Sequence, residues 1–186
     1  MESNLNMSLH STNDIRVASR SDQAGLLPLI RAYYRFDSIK FDHRKIARAL
    51  DRLLRSRSLG RIWVIEVAKR ELAGYAILTY NYDLEFGGIQ GIITDFFITE
   101  AYRRQGLGAR MISAIASFCR TNGISAIELQ VTRGNLRAKN FYHSLGFETL
   151  DRLVMDLDLN RNKARMKPSA TAAKSLSPKV KPAVST

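Results

Sequence analysis

The sequence predicts an α/β protein, and three observations carry that expectation. Apolar runs of strand length alternate with amphipathic runs of helix length over residues 15–159, in the order β-α-α-β-β-β-α-β-α-β. One strand, Ile89 to Ile98, leads into a glycine loop and then an apolar-periodic run (Met111, Ile112, Ile115, Phe118), a strand–loop–helix unit. A length of 186 residues, with 45% hydrophobic and 25% charged, allows one domain with a sizeable core.

The elements follow in order. Ile15 and Val17 mark a first strand. Ser21 or Asp22 can cap a helix carrying Leu26, Leu27, Ile30 and Tyr33, with Pro28 expected to kink it. Asp42 caps a second helix whose Ile46, Ala49, Leu50, Leu53 and Leu54 share one face. The runs RIWVIEV and LAGYAILTY read as two strands about a turn at Lys69-Arg70. A loop rich in glycine and charge, Asp83 to Gly88, opens the strand Ile89 to Ile98. The next helix stops at Asn122-Gly123. A strand from Ala126 to Val131, a helix from Asn135 to Leu145 ended by Gly146, and a final strand region from Phe147 to Leu159 complete the pattern.

Charge divides the chain. The net charge is +12, and residues 161–186 hold seven basic residues, no acid, no aromatic residue and three of the four prolines. Such a segment cannot bury enough surface to offset its ordering entropy. The expected organisation is a flexible start (1–13), a folded domain (14–160) and a disordered basic tail (161–186). The tail is read as a solvated segment in preference to a nucleic-acid arm, because aromatic residues for base stacking are lacking. No apolar run reaches the roughly 18 residues of a membrane span. The polar start lacks the apolar core of a secretory signal. A lone cysteine, Cys119, excludes an internal disulfide and is consistent with a cytoplasmic setting. His10, His43 and His143 are scattered with no metal-ligand spacing, so no metal is expected.

The glycine loop is Arg103-Arg104-Gln105-Gly106-Leu107-Gly108-Ala109-Arg110. The first turn of a helix has unpartnered N–H groups and a partial positive charge. Glycines there let an anion approach the backbone, most naturally a pyrophosphate. The third glycine of a dinucleotide fingerprint is missing, and so is the G-K-[ST] of a Walker loop. The pattern is R-x-x-G-x-G preceded by Tyr102, and it resembles the acetyl-coenzyme A signature of the GNAT family of N-acetyltransferases. A second stretch, NLRAKNFYHSLGFETL, resembles that family's closing motif N-x-x-A-x-x-x-Y-x-x-x-G-F through Asn135, Ala138, Tyr142, Gly146 and Phe147. The resemblance covers about Ile15 to Leu159.

The resemblance implies a mixed sheet flanked by helices, with acetyl-CoA as cosubstrate and an amine as acceptor. Phe96, Phe97 and Ile98 would supply a strand edge for the pantetheine arm. Arg103, Arg104, Gln105, Gly106, Leu107, Gly108, Ala109 and Asn135 would complete the cofactor site. Acetyl transfer requires a positioned thioester, a deprotonated amine, a donor to the developing oxyanion and a proton for the leaving thiolate. Tyr142 would be the acid, protonated at neutral pH with an ordinary pKa near 10; the competing reading is a buried tyrosine bonded to a backbone carbonyl. Asp95 in TDFFI would be the base or would hold a cationic substrate, and both roles stay open. Glu85, Asp83 and Glu100 are weaker candidates. Cys119 reads as packing, and no Cys-His-Asp arrangement supports an acyl-enzyme, so direct transfer in a ternary complex is expected.

The run YNYDLEFGGIQGIITDFFI is faintly similar to the diamine and polyamine branch of the family. A small primary amine, a diamine or an amino acid, is therefore the leading acceptor. A protein lysine or N-terminus is the alternative, and a non-catalytic coenzyme-binding module with a nucleic-acid-contacting tail is a further one. A homodimer stays open.

Overall fold

In the computed structural model, residues 13–67 and 70–159 are described. The expectations placed on the N-terminus, on Lys69, on His10 and on the tail from 161 onward lie outside them. The elements are β1 (Asp14–Val17), α1 (Gln23–Phe36), α2 (His43–Arg55), β2 (Gly60–Glu66), β3 (Leu72–Asp83), β4 (Gly88–Ile98), α3 (Leu107–Thr121), β5 (Ile127–Leu129) and α4 (Leu136–Ser144). The five strands form one sheet in sequence order. The β1–β4 pairs are antiparallel, and β4–β5 is parallel.

Caps read from the sequence hold in atomic terms. Asp42 accepts a hydrogen bond from the Lys45 N–H at the start of α2. Asn135, which the sequence reading took only as the first residue of its helix, accepts from the Ala138 N–H at the start of α4. Gly123 (φ 70°) and Gly146 (φ 89°) take the left-handed conformation after α3 and α4, which a Cβ would strain. Asp22 differs from its expected role. It stands at the N-cap of α1, but its side chain makes no cap bond there. Both its oxygens instead accept from the Arg16 guanidinium, at 2.7 and 2.9 Å. Arg16 Nε also donates to Glu66 at 2.7 Å, so one arginine ties β1 and β2 to the start of α1. Pro28 lies inside α1, which continues to Phe36.

Each face of the sheet carries its own core. Met111, Ile112, Ile115 and Cys119 of α3 pack with Trp63, Ile65, Ala76, Leu78 and Ile93 on one face. Leu26, Leu29 and Ile30 of α1 and Leu50 of α2 pack with Ile62, Val64, Tyr75 and Phe97 on the other.

Two expectations need correction. The strand expected over Ala126–Val131 is only the three residues of β5. The final strand region from Phe147 to Leu159 contains no strand. Leu153, Met155, Leu157 and Leu159 do alternate with other residues, but all four are exposed. Alternation specifies which side chains share a face; it does not supply the neighbouring ladder a strand must bond.

Candidate active site

The short β5 shapes the site. β4 pairs with β5 only at Gly91, Ile92 and Ile93. Beyond Ile93, β4 continues to Ile98 bonded to β3 alone, and its other edge opens onto a cavity of about 540 Å³. Ile93, Thr94, Phe96, Phe97 and Ile98 form one wall of this cavity, and Leu129 to Thr132 form the facing wall. The starts of α3 and α4 and the end of α1 close it.

A β-bulge sets the directions of the β4 side chains. Ile77 faces Asp95 while Leu78 faces Ile93, so Thr94 is the extra residue. The shift sends Ile93 and Phe96 to the α3 face and Phe97 to the α1 face.

The glycine loop leads into the start of α3. Gly106 is the N-cap of α3 with φ 75°, and no side chain caps that helix end. The first intrahelical bond runs from the Arg110 N–H to the Gly106 carbonyl, which leaves the N–H groups of the first turn available to an anion. Gly106, Gly108, Ala109, Arg103 and Arg104 line the cavity. Arg104 itself has φ 60°, a left-handed conformation uncommon for a residue with a side chain. Gly108 also serves packing, because a Cβ there would stand 3.0 Å from the Phe141 ring. Gln105 donates its side-chain amide to the Ala101 carbonyl at 3.0 Å, and Leu107 is buried; neither lines the cavity. Asn135 lines it while capping α4.

Tyr142 stands in the cavity wall among aromatic rings, with Phe96, Phe141 and Phe147 centroids at 6.2, 5.1 and 5.5 Å. Among the described residues its hydroxyl has no hydrogen-bond partner, which removes the reading of a tyrosine satisfied by a carbonyl. Burial pushes its pKa up to about 12, with Tyr33 adding to the shift. Tyr142 therefore stays protonated at neutral pH.

Asp95 is half-buried, and its Oδ2 accepts a hydrogen bond from the Tyr75 hydroxyl at 3.0 Å. Burial raises its pKa, the Tyr75 bond opposes that, and Asp37 raises it further. Asp95 does not itself line the cavity, although its neighbours Thr94 and Phe96 do. Asp37 and Tyr33, from the end of α1, lie on the lining.

Sequence reading missed Tyr75, Phe36, Asp37, Thr94 and Arg137. Tyr75 looked like one more residue of an apolar strand. Phe36 and Asp37 carry no motif. Only tertiary packing brings them to β4. The weaker base candidates stay away from the cavity: Asp83 Oδ1 accepts from the Glu85 N–H in the β3–β4 turn, and Glu100 is exposed. Cys119 is buried, which pushes its thiol pKa up and suits packing. His143 Nδ1 lies 2.8 Å from the Phe147 carbonyl. Among the described residues no three His, Cys, Asp or Glu side chains cluster to hold a metal, and no helix is long and apolar enough to cross a membrane.

A splayed parallel strand pair beside an uncapped helix N-terminus defines a class of acyl-coenzyme A binding fold. The chain belongs to the Acetyltransferase (GNAT) family, which it matches over residues 26–147. An N-acetyltransferase of Bacillus subtilis, YhfO, itself uncharacterized, is 27% identical over 137 residues, 73% of this chain and 89% of that protein. A tyramine N-feruloyltransferase of Nicotiana tabacum is 29% identical over 80 residues, 43% of this chain; the match spans only 35% of that enzyme. An integron cassette protein from the Cole Harbour salt-marsh metagenome has a similar structure, with a TM-score of 0.70 at 30% identity, covering 78% of this chain and 90% of that one.

Proposed function

We propose that this chain transfers an acetyl group from acetyl-CoA to the primary amine of a small molecule, directly and within a ternary complex. The carrying observation is one cavity that joins three features: the uncapped start of α3, the free edge of β4, and Tyr142 in its wall. Acetyl-CoA would supply the activated acetyl group as a thioester.

The residues divide the work. The N–H groups of Gly108 and Ala109, with Arg104 and Arg137, suit the pyrophosphate. The backbone of Phe96, Phe97 and Ile98 suits the pantetheine amides and offers an N–H to the acetyl oxygen. Tyr142 holds a proton close to where the thiolate would depart. Asp95, with Tyr75 behind it and Asp37 and Tyr33 nearby, favours a cationic amine and can take its proton through water. The lone buried Cys119 offers no competing nucleophile and fits a cytoplasmic setting.

The test is thiol release from acetyl-CoA over a panel of primary amines. Release that depends on an amine, with the N-acetyl product found by mass, supports the reading. Tight coenzyme binding without release for any amine would make the chain a binding module.

A further inference from the structure

Resting on that reading of an amine acceptor, we propose that Arg103 reads the acceptor and that the acceptor is zwitterionic: an amino acid whose carboxylate meets the Arg103 guanidinium while its reacting amine lies toward Asp95. The position of Arg103 in the signature makes it an expected cofactor ligand. Its placement points elsewhere. The guanidinium carbon lies 5.5 Å from the Phe97 ring centroid and 5.6 Å from that of Phe36. Phe97 belongs to the core on the α1 side of the sheet, and Phe36 is the last residue of α1. Arg103 thus lies over the face from which α1 closes the cavity, whereas α3 packs on the other face.

Its Nε donates to the Ile98 carbonyl at 2.7 Å, and the two aromatic rings lie beside its guanidinium carbon. Phe36 is 63% exposed and lies against this guanidinium. Among the described residues, Arg103 forms no ion pair, and its two terminal nitrogens make no hydrogen bond. A planar fork with two free amino groups in a cavity wall matches a carboxylate bidentately.

Charge balance then selects the ligand. Asp37 and Arg103 line the cavity, and Asp95 lies on β4 between two lining residues, Thr94 and Phe96, close enough to Asp37 to feel its charge. A diamine would satisfy the two carboxylates and press its second cation toward the guanidinium. An amino acid with a side-chain amine carries a carboxylate beside its α-ammonium, so the guanidinium meets an anion there and the side-chain amine is left for Asp95. An amino acid with a side-chain amine is thereby favoured over a diamine.

The experiment compares L-lysine with 1,5-diaminopentane, the same chain without its carboxylate. Equilibrium binding of each is measured by calorimetry to the full chain saturated with coenzyme A, and acetylation of each is followed in parallel. Wild type is expected to favour lysine by about tenfold or more, the scale of a bidentate charge-assisted pair. Arg103→Gln should abolish that preference while coenzyme A affinity stays within about twofold. A wild type without the preference, an R103Q that keeps it, or an R103Q whose main loss is in coenzyme A affinity would each overturn the inference. If R103Q unfolds, R103K carries the test: a lysine lacks the fork and should lose most of the preference, and undiminished preference there overturns the inference too. If the preference and its loss both stand but no amine is acetylated, this inference survives and the transfer reading falls.

Discussion

Tyr75 and Asp95 are joined across the β3–β4 ladder, with the fully buried Tyr75 hydroxyl donating to Asp95 Oδ2 at 3.0 Å. The bond favours the ionised carboxylate, while burial and the nearby Asp37 favour the neutral acid. Asp95 is therefore tuned by a residue that never reaches the cavity.

Removing that hydroxyl should move the tuning in one direction. In Tyr75→Phe the Asp95 pKa rises further, because the one interaction holding it down is lost. If the ionised carboxylate serves the reaction, kcat/KM falls at low pH, and the acidic limb shifts to higher pH in the variant. Profiles of kcat/KM against pH for both proteins check this. Coincident limbs would detach Asp95 from the pH-dependent step.

Asp95→Asn should trade activity for stability. The pKa of Asp95 is raised in the fold, so its contribution to stability is complete below the ordinary carboxylate range and is lost as pH rises through the raised value. Asparagine can still accept the Tyr75 bond and carries no charge to bury. The variant should melt no lower than wild type at neutral pH. Kinetics then separate the two roles. A base gives a lower kcat that partly recovers at high pH; a substrate anchor gives a higher KM with kcat nearly kept.

The glycines of the signature should separate as well. A Cβ at Gly106 meets no atom within 4 Å, but φ 75° strains it and its site faces the cavity. A Cβ at Gly108 meets Phe141 at 3.0 Å. Gly106→Val is expected to weaken acetyl-CoA binding by more than about tenfold, as lost anion contacts would. Gly108→Val should lower the melting temperature as well as the affinity. Calorimetry and melting curves on the two variants check this; full affinity in a folded Gly106→Val would contradict the cradle.

Arg16 and Asp22 carry a stability prediction away from the site. The Arg16 hydrogen bonds hold the Asp22 carboxyl down at about 2. Its contribution is thus present above the usual carboxylate range and fades as pH falls through about 2. Asp22→Asn should cost about 1–3 kcal/mol at neutral pH, the scale of a charged hydrogen bond lost from a buried partner. Denaturant melts at pH 7 and pH 2.5 should show that deficit shrinking in acid.

Much of this was legible in the sequence because it is local. The start of α3 rests on glycine spacing and an apolar periodicity, and the cap at Asp42 rests on side-chain chemistry three residues deep. Tyr142 was named through its motif, but the aromatic rings around it were not legible. What was missed is tertiary. The Thr94 bulge that turns Phe97 toward α1, the Tyr75–Asp95 bond and the seat of Arg103 on Phe36 and Phe97 all depend on residues far apart in the chain. The failed strand at Phe147–Leu159 has the same origin, since alternation is local and a ladder partner is not.

The central claim is transfer from acetyl-CoA to an amine with Tyr142 supplying the proton, and a single-turnover experiment tests it most directly. Protein loaded with acetyl-CoA is mixed rapidly with a primary amine, and free thiol is followed with the N-acetyl product. Thiol and product should rise together in wild type. In Tyr142→Phe the rate should fall by more than about tenfold, toward the range of a lost general acid, with acetyl-CoA affinity nearly unchanged. An equal rate in the variant, or thiol release in wild type that does not depend on the amine, would contradict the account.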